Sequence, residues 1–214
     1  MHGLKQSTTP APDRTWGWLV LILLVIGLAA AFAPIERTLG AGVRLVYVHG
    51  AWVWAGKVTF ALAGLAGLIG LIMVRRVSWQ LASLALGRTG LVFWLTYLPL
   101  SLLVQQLNWG GIFWDEPRWR IPLAFGIAGA LLQAGLAIID NLRLTSLANL
   151  GFGAALWYFL GTIENVLHPD SPIFTSGSLR IQVFFSLLVL LSIGFGGLLA
   201  WLFYRAERKR ERPA

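Results

Sequence analysis

Two histidines far apart in the chain, His49 and His168, and one short segment, residues 108–121 ("NWGGIFWDEPRWRI"), carry most of the chemistry that this sequence could support. Imidazole is the commonest metal ligand in proteins, and two opposed imidazoles suit a six-coordinate haem iron. They do not suit structural zinc, which wants four ligands. The chain has no cysteine and no H-E-x-x-H spacing. Disulfides, thiolate ligands and covalent haem attachment are therefore excluded. The 108–121 segment adds Trp109, Trp114 and Trp119, whose flat indole faces offer a large contact area with a polar edge, as a porphyrin needs. The same tryptophans could serve only as an aromatic belt at the membrane interface. Arg118 and Arg120 could grip ligand carboxylates in a two-pronged fork, or pair with Asp115 and Glu116 beside them.

Two further charges lie in apolar surroundings. Glu164 precedes His168 by four residues, a spacing that puts both on one helix face and lets the carboxylate orient the imidazole. Lys57 follows His49 by eight residues, about 12 Å along a helix at roughly 1.5 Å per residue. A charge inside a membrane is costly, so Lys57 either pairs with Glu164 or snorkels to the surface.

The elements that must position these groups are read from composition. Of 214 residues, 57% are hydrophobic and only 12% are charged, about half the charged share of a soluble domain. Apolar runs fall at about 16–34, 46–74, 82–107, 121–140, 145–167 and 181–204. Each approaches or exceeds the roughly 20 residues that a helical span requires. The alternating pattern of a barrel strand is missing, so helices are expected throughout. The first run ends in "AFAP", which has the look of a signal-peptide cleavage site. It is too long for a usual signal core, and proline follows the would-be cut, so an uncleaved span is expected.

The expected architecture is thus all-α: a polytopic membrane protein of six transmembrane helices. A tail at 1–15 precedes a membrane domain at 16–204, and a basic tail at 205–214 follows it. With the N-terminus in the cytoplasm, eleven lysines and arginines fall on the inner side and five on the outer side. This positive-inside bias places both termini in the cytoplasm of an inner-membrane protein. His49, His168 and the tryptophan-rich loop then share the outer face. Histidines at helix ends would hold a haem near the surface, which favours handling of haem over electron transfer across the bilayer.

The formal charge of +8 resembles a nucleic-acid signal, but much of it sits in "RAERKRERPA" after the last span. There it reads as an orientation signal or a contact with anionic lipid, and no nucleic-acid partner is expected. Gly64, Gly67 and Gly70, and Gly194, Gly196 and Gly197, are expected to let helices approach closely.

Taken together, these residues resemble the haem-handling membrane proteins of cytochrome c maturation, the CcmC and CcsA types, with CcmC the closer in size and layout. The family's signature loop reads approximately W-G-x-W-W-x-W-D-x-R. Here "WGGIFWDEPR" keeps Trp109, Gly110, Trp114, Asp115 and Arg118, with Phe113 at one tryptophan position. Two residues, rather than one, separate Asp115 from Arg118. The family's first histidine is matched in "YVHGAW" by His49, with Gly50 where proline is usual, and its second in "LWYFLGTIENVLHP" by His168. The resemblance runs from the second span to the sixth. It implies a divergent, non-enzymatic assembly factor. Haem b would be bound without a covalent bond at the outer, periplasmic face, ligated by His49 and His168. Trp109, Trp114, Asp115, Arg118 and Arg120 would form its platform. The implied partners are membrane lipids, a haem chaperone or apocytochrome, and other assembly proteins of the membrane. No Walker motif is present, so nucleotide chemistry would belong to a partner. A small transporter working through Lys57 and Glu164, or a structural subunit of a larger membrane complex, are the alternative expectations.

Overall fold

A computed structural model describes residues 14–163, 173–174 and 176–211. Among them the fold is all-helical. Its elements are α1 (Thr15–Ala31), α2 (Val43–Ile72), α3 (Val77–Trp109), α4 (Pro117–Ile139), α5 (Leu142–Thr162) and α6 (Leu179–Arg210). The last five are long and apolar enough to cross a membrane, and α1 is an apolar helix of 17 residues. Several helices of this kind in one chain make it an integral membrane protein.

The helix ends differ from the apolar runs in instructive ways. The α4 helix starts at Pro117 instead of residue 121. Proline suits the first helical position because its missing N–H would be unpaired there, and Glu116 caps that turn by accepting from the Arg118 N–H. Arg118, Trp119 and Arg120 therefore stand on a helix and not in a loop. The α3 helix runs to Trp109 and is stopped by Gly110 at φ +72, a left-handed conformation that favours glycine. The true connection is only Gly110 to Glu116. The α5 helix ends at Thr162, five residues before the expected end, and Ile163 is extended. The α6 helix continues through the basic stretch to Arg210.

Helix α2 is the central member and packs against α3, α5 and α6. Glycines let it approach closely. A Cβ added at Gly64 would stand 3.3 Å from the Asn149 carbonyl oxygen, and one at Gly153 would stand 2.8 Å from that of Phe60. Gly196 likewise admits the Phe93 ring to α6, whereas Gly194 and Gly197 meet no neighbour. The expectation that all six glycines serve packing thus fails for these two.

A buried polar layer joins four helices. The Asn149 side-chain amide donates to the Ser83 carbonyl at 2.9 Å and to its hydroxyl at 3.1 Å, and accepts from Gln133 Nε2 at 2.8 Å. Ser83 in turn donates to the Ala63 carbonyl at 2.8 Å. Bonds between membrane helices average about 0.6 kcal/mol and reach about 1.7. Since Asn149 makes several, Asn149→Leu is expected to lower stability by about 1–2 kcal/mol, read as an earlier midpoint of thermal or detergent unfolding. An unchanged midpoint would show that the layer adds no net stability.

The basic end of the bundle is tied by charge. Arg88 on α3 meets Glu207 on α6 at 2.5 Å, and Arg210 reaches Glu207 at 3.1 Å and Asp140 at 3.8 Å. At the other end, the turn before α2 is fixed by Glu36. Its carboxylate accepts from the N–H groups of Thr38 and Leu39, and these bonds, that of Leu39 foremost, hold its pKa below the ordinary value.

Candidate functional site

The end of the bundle opposite the Arg88–Glu207 pair opens into a cavity of about 340 Å³. That lies within the roughly 300–1,000 Å³ common for small-molecule and cofactor sites. Five helices contribute to its lining. From α2 come His49, Gly50, Val53, Trp54 and Lys57; from α3, Trp94, Tyr97, Ser101, Gln105 and Trp109. Arg118, with the capping residue Glu116, comes from the start of α4. Leu160 of α5, Phe185 of α6, and Ile173 and Phe174 just before α6 supply an apolar wall.

His49 stands one turn and a half into α2, its ring packed beside Tyr97 with centroids 5.2 Å apart and planes tilted by 44°. The next residue, Gly50, leaves room for the Phe185 ring, whose atoms would stand 3.1 Å from an added Cβ. A Cβ here would press on that ring, so glycine gives Phe185 its place beside the histidine wall. Arg118 sits on the first turn of α4 because Glu116 and Pro117 begin the helix there, and this start directs its side chain to the cavity.

Lys57 neither reaches outward nor stands alone. Its ammonium lies over the rings of Trp54 and Trp157, 4.7 and 4.4 Å from their centroids, and faces the same cavity. The indole N–H of Trp157 donates to the Lys57 carbonyl at 3.0 Å, which locks α5 to α2 at this level. Two aromatic faces attract a cation electrostatically, so the charge is held in place by the walls. Glu164 and His168 lie outside the described residues, and so do the proposed pairing of Lys57 with Glu164 and the shared face of Glu164 and His168.

The structure divides the tryptophan-rich segment. Trp109 and Arg118 line the cavity. Trp114 does not; it is 60% exposed and packs edge-on against Trp119. Trp119 is buried in the core with Trp94, Tyr97 and Phe60. Asp115 is fully exposed and pairs with exposed Arg120 at 3.7 Å. That local pairing is one of the two expectations weighed for these arginines, and an exposed pair of this kind contributes about 0–1 kcal/mol. Trp114, Asp115 and Arg120 are therefore not brought to the cavity wall. Trp52, close to His49 in sequence, faces α3 and α6, where it donates to Thr96 at 2.8 Å and packs on Phe93.

Among the lining residues that escaped the sequence reading are Tyr97, Ser101 and Gln105, and Glu116 was read there only as a partner for the arginines. The first three recur every fourth residue inside an apolar span. That spacing was a usable signal, since it places all three on one helix face.

No protein-family model matches this sequence, and no curated protein matches it.

Among the described residues no three His, Asp or Glu side chains gather to hold a bare metal ion. The cavity instead offers one imidazole, a guanidinium, an ammonium and a carboxylate among indole, phenol and phenyl walls. His49 is thus the one imidazole that the described residues bring to this wall.

Proposed function

We propose that this chain is a haem-binding membrane protein of the cytochrome c assembly type, a divergent relative of the CcmC and CcsA proteins. In this reading six spans cross the inner membrane, both termini are cytoplasmic, and the cavity opens on the outer face. The supporting charge pattern is the excess of lysine and arginine in the connections and tail remote from His49. Haem b would be held without a covalent bond by His49 and His168, with Trp109 and Arg118 as the further residues of the site. Haem supplies the iron; the chain binds it, orients it and screens its faces from water, then yields it to a chaperone or apocytochrome.

The observation that carries this reading is the convergence of His49, Trp109 and Arg118, from three helices, on one aromatic-walled cavity. Each of these residues belongs to a motif of the family pattern, and the motifs are separated by dozens of residues in sequence. The test is the absorption spectrum of the purified chain, with extraction of its pigment.

A further inference from the structure

Most of the cavity wall is helix, and a helix satisfies its own backbone. Of the lining residues outside the helices, Leu39 sits in the turn that Glu36 fixes, Glu116 caps α4, and Ile163 directly follows α5. Ile173 and Phe174 differ. They stand in the connection that ends at Ser178, the cap of α6, and form an irregular strap along one side of the cavity. Carbonyls in such a strap have no helical ladder and must find donors elsewhere.

One side chain supplies them. Gln182, three residues after the start of α6, donates from Nε2 to the Phe174 carbonyl at 3.0 Å and to the Ser176 carbonyl at 2.6 Å. A side-chain amide has two N–H donors, so the strap takes both. The Ser176 N–H donates to the Ile173 carbonyl at 3.2 Å, which closes a turn within the strap itself. Among the described residues, the two bonds from Gln182 are the only hydrogen bonds that join Ile173, Phe174 or Ser176 to a helix.

The rest of the hold is apolar. Ile173 is buried with Ile181 and Phe185. The Phe174 ring meets Phe185 and Trp54 edge-on, with centroids 5.3 and 6.3 Å apart, yet it is 43% exposed. Phe174 is therefore a thin partition, with the cavity on one side and the surroundings on the other. The Trp54 ring that it meets is one of the two over which the Lys57 ammonium lies. Opening any helical wall would break backbone bonds or close helix packing, which is costly in a membrane. A strap tied by one amide yields at lower cost.

We propose that Gln182 is a positioning residue: its amide latches the Ile173–Phe174 strap across the cavity, and release of that strap sets how fast a ligand enters and leaves. The latch acts on whatever ligand the cavity takes, haem included, so its test needs no haem.

The chain has no cysteine, so a single introduced thiol reports on its own site alone. Ser101→Cys places that thiol on the α3 wall of the cavity, where Ser101 is 7% exposed. The purified full chain is treated with N-ethylmaleimide and its modified fraction followed by intact mass, with Gln182 in place and with Gln182→Glu or Gln182→Leu. Ionised glutamate keeps the side-chain length but has no donor, and leucine removes the donors without adding charge. A thiol behind the strap reacts through the open form, so its rate follows the open population. Two hydrogen bonds of ordinary strength are together worth about tenfold in that population, and both variants are expected to label about tenfold faster. Ser192→Cys, on α6, fully buried and off the cavity wall, should stay slow throughout. Labelling of Ser101→Cys at one rate with and without the amide would overturn the latch. Equal acceleration at Ser192→Cys would overturn it too, because the whole bundle would then have loosened. Neither result touches the haem reading, which the pigment tests.

Discussion

His49→Ala is expected to strip haem from the purified protein, weakening binding by more than about 100-fold. Outer-shell partners of metal ligands already cost about 10–100-fold when removed, and His49 is proposed as a ligand itself. It is the described histidine on the cavity wall, and its ring lies against Tyr97. The substitution removes a part-buried ring at the margin of the cavity, so the helical bundle should persist with unchanged helicity and elution volume. His49→Gly gives the sharper form of the test. Imidazole added from solution should restore ligation and the spectrum, because the smaller residue leaves the ligand's place open. Haem retained at full occupancy in both variants would exclude His49 as a ligand. The haem would then lie away from the His49 wall.

The second large effect is on stability. Gly67→Val should destabilise the bundle by about 3 kcal/mol, at the upper end of the usual penalty for overpacking. A Cβ at Gly67 would stand 2.5 Å from the Ser146 carbonyl oxygen and 3.1 Å from the Ser83 hydroxyl. The first obstacle is backbone, so a rotamer change cannot relieve it, and α5 must move away from α2. Such movement would also disturb the Asn149–Ser83 bonds and, further along the interface, the Trp157–Lys57 bond. Gly194→Val supplies the comparison, because nothing lies within 4 Å of a Cβ there. Surface substitutions of that kind usually stay within about 0.5 kcal/mol. Unfolding midpoints in detergent measure both, and equal midpoints would refute the close α2–α5 crossing.

What could be read from the sequence follows from the range over which each signal acts. Hydrophobic runs reported the helices well, because each run is local and nearly continuous. Their ends were less legible where charge and helix coincide. "EPRWR" looked like loop, yet Glu116 caps and Pro117 opens α4. "RAERKR" looked like a free tail, yet it continues α6, and Glu207 and Arg210 within it are engaged by Arg88 and Asp140. The convergence of His49 with Trp109 and Arg118 was foreseeable from loop order alone. The separation of Trp114 and Arg120 from them was not, because it depends on the path of the Gly110–Glu116 connection and on which side of the first α4 turn Arg120 occupies. Lys57 shows the same limit in another form. Its second aromatic wall, Trp157, comes from 100 residues away and leaves no mark near Lys57 in the sequence. The α3 face of Tyr97, Ser101 and Gln105 was legible in principle, because the three recur at four-residue intervals within an apolar span.

The central claim is that this chain holds haem b in the cavity walled by His49, Tyr97, Trp109 and Arg118. The most direct measurement is the absorption spectrum, oxidised and dithionite-reduced, of the full chain purified from haem-replete cells. The account predicts a Soret band with sharp α and β bands on reduction, the pattern of low-spin iron with two histidines, and a pigment that organic solvent extracts as intact haem b. A colourless preparation that stays colourless when hemin is added would contradict it.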